Sequence, residues 1–210
     1  MEKTKHITTA IQPLLFEKTG NLLPFNGEVQ YLPQFFAPQQ SDAFLQNLIT
    51  TIAWKQEPIK IFGKPVLQPR LTAWYGNPGK SYSYSGITMQ PLTWTDDLLQ
   101  IKQRIETFAG IAFNSALLNY YRNGHDSMGW HRDNEKELGP NPTIASVSFG
   151  AARSFQLRNH ADKSIIRTLQ LTHGSLLLMR GQTQHYWQHR VPKTNTPTAA
   201  RVNITFRVIV

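Results

Sequence analysis

The sequence predicts a mainly β protein with flanking helices, folded as a double-stranded β-helix, or jelly roll. Three observations carry that expectation. From residue 114 onward, short apolar runs alternate with Gly, Pro and Asn breakers, giving strands at 116–121, 143–149, 153–158, 167–171, 175–179, 185–191 and 201–210. That many short strands suits a sandwich or jelly roll. The last run alternates strictly, with Arg201, Asn203, Thr205 and Arg207 on one face and Val202, Ile204, Phe206 and Val208 on the other. Finally, His131 and Asp133 lie far along the chain from His189. If the three act together, non-local strand pairing must join them.

Taken in order, residues 1–30 have mixed composition and little periodicity and are expected to form an arm or cover over one domain of residues 31–210. Ser41 is placed to cap a helix whose apolar stripe is Phe44, Leu45, Leu48, Ile49 and Ile52. Ile61, Phe62 and Gly63 fit a hairpin tip, and Tyr82-Ser83-Tyr84 a short strand. Thr95 is expected to cap a second helix, with Asp96 and Asp97 in its first turn, where the helix dipole favours acids. Leu98, Ile101, Ile105 and Phe108 would face the core, and Gly110 would end the helix. The strands follow, and the segment richest in breakers, 192–198, separates the last two.

Composition frames the function. The 210 residues fit one domain, and 40% apolar residues suffice for a core. A net charge of +9 favours a polyanionic partner. With no cysteine, disulfides, thiolate metal sites and cysteine nucleophiles are excluded. The chain shows neither a signal-peptide-like apolar run near its start nor a span for a bilayer. An intracellular monomer is expected, cytoplasmic in a bacterium or nuclear in a eukaryote, with no membrane partner.

His131, Asp133 and His189 are the donor types that occupy one face of an octahedral metal and leave adjacent positions open, the arrangement that suits Fe(II) oxygen chemistry. On an extended segment, the i and i+2 positions of His131 and Asp133 share a side. Arg201 and Arg207 then suit an acidic cosubstrate, because the rigid guanidinium fork binds a carboxylate bidentately. The alternation of the last strand, read alone, is equally that of an ordinary strand with a solvated face.

Several blocks in this order resemble one family. They are Ile61-Phe62-Gly63-Lys64, Tyr75-Gly76 with Ser81-Tyr82-Ser83-Tyr84-Ser85-Gly86, Asn119-Tyr120-Tyr121 with Asn123-Gly124, and Gly129-Trp130-His131-Arg132-Asp133. Ile144-Ala145-Ser146-Val147-Ser148-Phe149-Gly150, His173-Gly174-Ser175-Leu176-Leu177 and Arg201-Val202-Asn203-Ile204-Thr205-Phe206-Arg207 complete the set. From about residue 54 to 210 the chain resembles the AlkB family, the Fe(II)- and 2-oxoglutarate-dependent nucleic-acid dealkylases, and most nearly its branch that repairs double-stranded DNA.

The resemblance implies Fe(II) on His131, Asp133 and His189, with 2-oxoglutarate and O2 in the open positions. Arg201 would meet the distal carboxylate, helped by Asn119 and Tyr121, and Arg207 would lie nearer the iron, with Asn203 and Thr205 on the same inward face. The alkyl group of a 1-methyladenine or 3-methylcytosine type lesion would be hydroxylated and released as formaldehyde, with succinate as coproduct. A flipped base would stack between Tyr84 and His131, beside Tyr82 and Ser85, with Glu135 accepting from its exocyclic amine. Phe62 would fill the gap in the duplex. Lys64, Arg70, Arg158 and Lys163 are candidate contacts to the DNA backbone.

This chain departs from the duplex-repairing branch at Asn134, where a second aspartate is usual, and in 192–198, where Lys193 stands in place of a basic cluster. Single-stranded DNA and RNA therefore remain open as substrates. So do a 2-oxoglutarate oxygenase acting on protein or a small molecule, and a non-catalytic nucleic-acid-binding barrel.

Overall fold

A computed structural model of the chain describes residues 20–61, 64–79, 82–84 and 87–210; for 59–61, 82–84 and 87–89 the backbone path alone is described. Two antiparallel sheets face one another. The larger has the order β1 (Glu28–Leu32), β12 (Ser175–Arg180), β9 (Ile144–Gly150), β14 (Arg201–Arg207), β7 (Ser115–Tyr121) and β4 (Leu71–Gly76), numbered along the chain. The smaller is β11 (Ile166–Leu171), β10 (Arg153–Asn159), β13 (Trp187–Val191) and β8 (Met128–His131). Two hairpins, β2 (Pro58–Ile61) with β3 (Lys64–Leu67) and β5 (Tyr82–Tyr84) with β6 (Ile87–Met89), stand apart from both sheets. The mainly β jelly roll expected from the sequence is the fold observed.

Period-two alternation divides each central strand between two cores. Val202, Ile204 and Phe206 of β14 join Leu118, Val147 and Leu176 in a cluster covered by two helices, α1 (Pro38–Thr51) and α2 (Asp96–Ala109). Phe44 and Leu48 of α1 and Leu98, Ile101 and Ile105 of α2 complete it. A second cluster, including Tyr121, Phe155, Leu157, Met179 and Val191, fills part of the space between the sheets.

The second helix begins and ends where the sequence places its caps. Thr95 Oγ1 accepts from the Leu98 amide at 3.4 Å, and Gly110 closes the helix in the left-handed region at φ 68°. The first helix starts earlier than expected. Its N-cap is Ala37 and Pro38 opens it, a residue whose fixed φ and missing N–H suit a first turn. Ser41 is instead a buried residue one turn in, donating to the Ala37 carbonyl at 3.0 Å. It packs where Gly174, at φ 71°, leaves no room for a side chain.

Two of the expected runs are shorter than their apolar pattern. Residues 183–186 form a helical turn, α3 (Thr183–Tyr186), because Thr183 Oγ1 ties back to the Arg180 and Glu28 carbonyls. The last strand ends at Arg207, beyond which the Asn114 amide brackets Ile209, donating to its carbonyl at 2.8 Å and accepting from its N–H at 2.7 Å. At the other end, β1 spans the boundary expected at residue 30 and pairs with β12 along its length. No helix among the described residues is long and apolar enough to cross a membrane.

Candidate metal and cosubstrate centre

The polar face of β14 is not solvated. Arg201, Asn203, Thr205 and Arg207 are all buried, the most accessible of them, Thr205, at 8%. β14 pairs on both edges, with β7 and β9, and its apolar face lies under the helices, so its other face can only look inward between the sheets. Asn203, Thr205 and Arg207 of that row line a cavity, together with Asn119, Tyr121, His131, Asp133, Met179 and His189.

Three donors meet in that cavity. β13 and β8 pair so that His189 lies opposite His131, and Asp133 follows two residues after β8 ends. One carboxylate oxygen of Asp133 is 3.8 Å from His131 Nε2 and the other 3.8 Å from His189 Nε2; the three ligand atoms lie within 4.8 Å of one another. His131 Nδ1 is 2.9 Å from the Gly129 carbonyl. A proton shared there leaves Nε2 with its lone pair directed at the cluster.

The electrostatics agree. Burial pushes the His131 imidazole down from its ordinary value, and burial, reinforced by the neighbouring His131 ring, pushes His189 down to about 3. Both rings are therefore neutral near pH 7. Burial opposes ionisation of Asp133, but the Arg207 guanidinium, with Nη2 at 3.0 Å, and the neighbouring His189 and His131 rings together outweigh it and hold the carboxyl well below the usual carboxylate range. Two neutral imidazoles and one carboxylate converging on one point fit a divalent ion that takes mixed N and O donors.

Further in, Arg201 is 1% exposed. Its Nη2 donates to Ser148 Oγ at 2.9 Å and its guanidinium lies 5.0 Å over the Tyr121 ring. Nε and Nη1 are buried with no hydrogen-bond partner. Burial lowers the Arg201 guanidinium from its ordinary value, while Tyr121 works against that. Leaving such donors unmet is costly, so the site fits a carboxylate that would take both. Asn203 is committed to its neighbour strand, donating to Ser146 Oγ and the Val147 carbonyl, both at 2.8 Å, and Thr205 Oγ1 donates to Asn203 Oδ1 at 3.3 Å.

Of the candidate backbone contacts, Arg70 lies elsewhere than its sequence context suggests. It is only 3% exposed, with Nε donating to Asn119 Oδ1 at 2.6 Å inside the molecule, so it cannot lie on a phosphate in this conformation. Lys64 and Lys163 are exposed. Arg158 is half-buried on the outer face of the smaller sheet, 4.1 Å over the Trp130 ring, which Arg190 also covers at 4.4 Å. Glu135 is half-buried, and its Oε2 has no hydrogen-bond partner. Phe62 and Ser85 lie outside the described residues; Tyr82 and Tyr84 are placed by backbone only, at the ends of β5.

Several neighbours of the site carry no sequence signal. Gln184 of α3 is fully buried and its Oε1 accepts from the Asp133 amide at 3.0 Å, a link from the turn before β13 to the H-x-D segment. Arg153 donates to the carbonyls of Asn123, Asp126 and Pro192 and lies 5.7 Å over the Tyr121 ring. His173 shares the His-rich tail but is no ligand, since Nδ1 accepts from the Gly150 amide at 2.7 Å and Nε2 faces Asp42 at 3.2 Å.

Comparison with known proteins gives an independent view. The 2OG-Fe(II) oxygenase superfamily profile matches residues 28–207. The human protein named alpha-ketoglutarate-dependent dioxygenase alkB homolog 3 is 44% identical over 222 residues, covering 99% of this chain and 77% of its own length. The bovine DNA oxidative demethylase ALKBH2 is 41% identical over 158 residues, covering 72% and 57%. The solved structure of OsALKBH1 shares the fold, with a TM-score of 0.64 at 15% identity, over 85% of this chain and 97% of that one.

Proposed function

Since the chain belongs to the 2OG-Fe(II) oxygenase superfamily and, within it, to the AlkB family, we propose that it repairs alkylated DNA bases of the 1-methyladenine and 3-methylcytosine type, releasing formaldehyde and succinate. The underlying activity is that of an Fe(II)- and 2-oxoglutarate-dependent dioxygenase performing oxidative dealkylation with O2. The observation that carries the reading is the pairing of His131 with His189 beside Asp133, together with the two unmet donors, Nε and Nη1, of the buried Arg201 on the inward face of β14.

His131, Asp133 and His189 would hold the iron, which couples oxidative decarboxylation of 2-oxoglutarate to oxidation of a C–H bond on the substrate. The protein's own part is placement. Arg201, with Tyr121 against it, would neutralise and orient the distal carboxylate. Arg207 keeps the Asp133 carboxylate charged and fixed. Packing of Phe155 against the His189 ring, centroids 5.4 Å apart, restricts that ligand's orientation.

Glu135 supports a base as the substrate, because its buried Oε2 is an acceptor without a donor and the exocyclic amine of adenine or cytosine supplies one. Tyr82, Tyr84, Ser85 and the wedge Phe62 are the proposed partners of a flipped base, and Lys64, Arg158 and Lys163 of its backbone. A single-stranded or RNA substrate is the second reading. It is favoured by 192–198, which holds one lysine and folds back onto the chain, with the Thr194 amide bonded to the Gly124 carbonyl at 2.9 Å.

The test is 2-oxoglutarate turnover and formaldehyde release with Fe(II) on methylated duplex DNA, methylated single-stranded DNA, methylated RNA and no substrate. Highest turnover on the duplex supports the proposal. Release of formaldehyde from none of the three polymers would sink it.

A further inference from the structure

Arg70 stands three residues beyond the β2–β3 hairpin, where a basic residue would be expected to face a polyanion. It does not. The next residues, Leu71 and Thr72, pair with Tyr120 and Asn119, so Arg70 enters the fold beside β7. Its Nε donates to Asn119 Oδ1 at 2.6 Å, and its Nη1 reaches the Ser127 carbonyl at 3.4 Å. The Ser127 amide in turn bonds to the Pro69 carbonyl at 3.0 Å, closing the turn around the guanidinium. Asn119 is 5% exposed and lines the inter-sheet cavity.

An asparagine amide is symmetric in shape but not in chemistry, since one end accepts and the other donates. A carboxylate needs donors. If Oδ1 faced the cosubstrate, acceptor would meet acceptor; if the NH2 group faces it, a hydrogen bond forms. We propose that Arg70 is a positioning residue for 2-oxoglutarate: by holding Asn119 Oδ1, it leaves the amide NH2 as the group Asn119 presents to the cosubstrate carboxylate. A cation is well suited to this task, because only a donor can hold Oδ1, and guanidinium is a donor in every protonation state reached near neutrality. The proposal rests on the reading of Asn119 as a 2-oxoglutarate contact.

The experiment measures 2-oxoglutarate binding to Mn(II)-loaded protein by calorimetry without O2, for the native protein, Arg70→Met, which has no donor, Arg70→Lys, Asn119→Ala and the Arg70→Met/Asn119→Ala double variant. Arg70→Met and Asn119→Ala are each expected to weaken binding about tenfold, the equivalent of ~1.4 kcal/mol. Because Arg70 acts through Asn119, the double variant should match Asn119→Ala alone. Arg70→Lys keeps one donor and should recover part of the loss. In steady state with Fe(II), Arg70→Met should raise KM for 2-oxoglutarate more than it lowers kcat, while affinity for a DNA oligonucleotide stays as in the native protein.

Native 2-oxoglutarate affinity in a folded Arg70→Met, or losses that multiply in the double variant, would overturn the proposal while leaving Asn119 as a cosubstrate contact. Native affinity in Asn119→Ala would remove the premise itself. A drop in DNA affinity alone would return Arg70 to the phosphate backbone. Melting temperatures identify a merely structural role, which lowers stability but leaves the affinity of the folded protein unchanged.

Discussion

His131 and His189 are directly opposed residues of adjacent antiparallel strands, and their ring centroids lie 4.1 Å apart with the planes at 61°. Strand register therefore sets the spacing of two metal donors, and a slip by one residue would turn a ring to the outer face. The register changes between His189 and Val191, so the irregularity lies just beyond the ligand pair.

From this arrangement, His131→Ala should abolish turnover and weaken Mn(II) binding while leaving circular dichroism native, because the ring lines the cavity and lies outside the apolar clusters. Asp133→Ala should also abolish turnover but cost stability as well, on the order of 1–3 kcal/mol, since it removes the carboxylate that faces Arg207 at 3.0 Å. Native turnover in either variant with iron as the added metal would remove these residues from the site.

Arg201→Lys should raise the 2-oxoglutarate concentration needed for half-maximal turnover by about tenfold or more, because an ammonium cannot reproduce the fork that leaves Nε and Nη1 to one ligand. DNA affinity should hold. An unchanged 2-oxoglutarate dependence would mean that the buried guanidinium serves the fold alone.

Charge reversal at Lys64, Arg158 or Lys163 should flatten the salt dependence of DNA binding by about one unit of log–log slope for each phosphate that is no longer neutralised. Reversal at Arg70 should instead damage folding, because that residue is buried. A slope indifferent to all three exposed or half-exposed sites would place the nucleic acid elsewhere on the surface.

Phe62→Ala should reduce activity on a methylated duplex far more than on the same lesion in a single strand, since only the duplex leaves a stacked gap to fill when the base departs. The comparison is kcat/KM on the two substrates, with melting temperatures measured alongside. Equal losses that follow reduced stability would make Phe62 a packing residue.

Asp126 supplies a pH dependence of the fold. Burial raises its carboxyl, but side-chain hydrogen bonds from Arg122, with Nε at 2.8 Å and Nη2 at 2.9 Å, its backbone amide at 2.9 Å and the charges of Arg122 and Arg153 together win and hold it below its ordinary value. A depressed folded-state value stabilises the protein above the unfolded carboxylate range, about pH 4, and that stabilisation disappears as pH falls through the folded value. Asp126→Asn should therefore be less stable than the native protein at pH 7, with the gap closing below about pH 4. A gap independent of pH in urea unfolding would assign the loss to packing.

The sequence alone determined the class of fold and the identity of the donors. Strand runs punctuated by Gly, Pro and Asn are local chemistry, as are the Thr95 and Gly110 caps, and all are legible without neighbours. The H-x-D pair, His189 and the alternation of Arg201, Asn203, Thr205 and Arg207 name the residue types that metal and dicarboxylate chemistry need. Ser41 reads as a cap and is not one, because a serine before an apolar stripe carries the same signal whether or not Pro38 has already started the helix.

Only the tertiary structure decided depth and direction. Alternation reports which residues share a face of β14, but water is excluded from that face by the opposing sheet, and β7 and β9 close its edges. The same limit hid Arg70 and Gln184: a charge or an amide reads as surface in one dimension, and becomes buried only when distant segments supply its hydrogen bonds, here Asn119 for one and Asp133 for the other. Burial of a polar group is a property of its partners, and those partners are brought together by strand pairing across the chain.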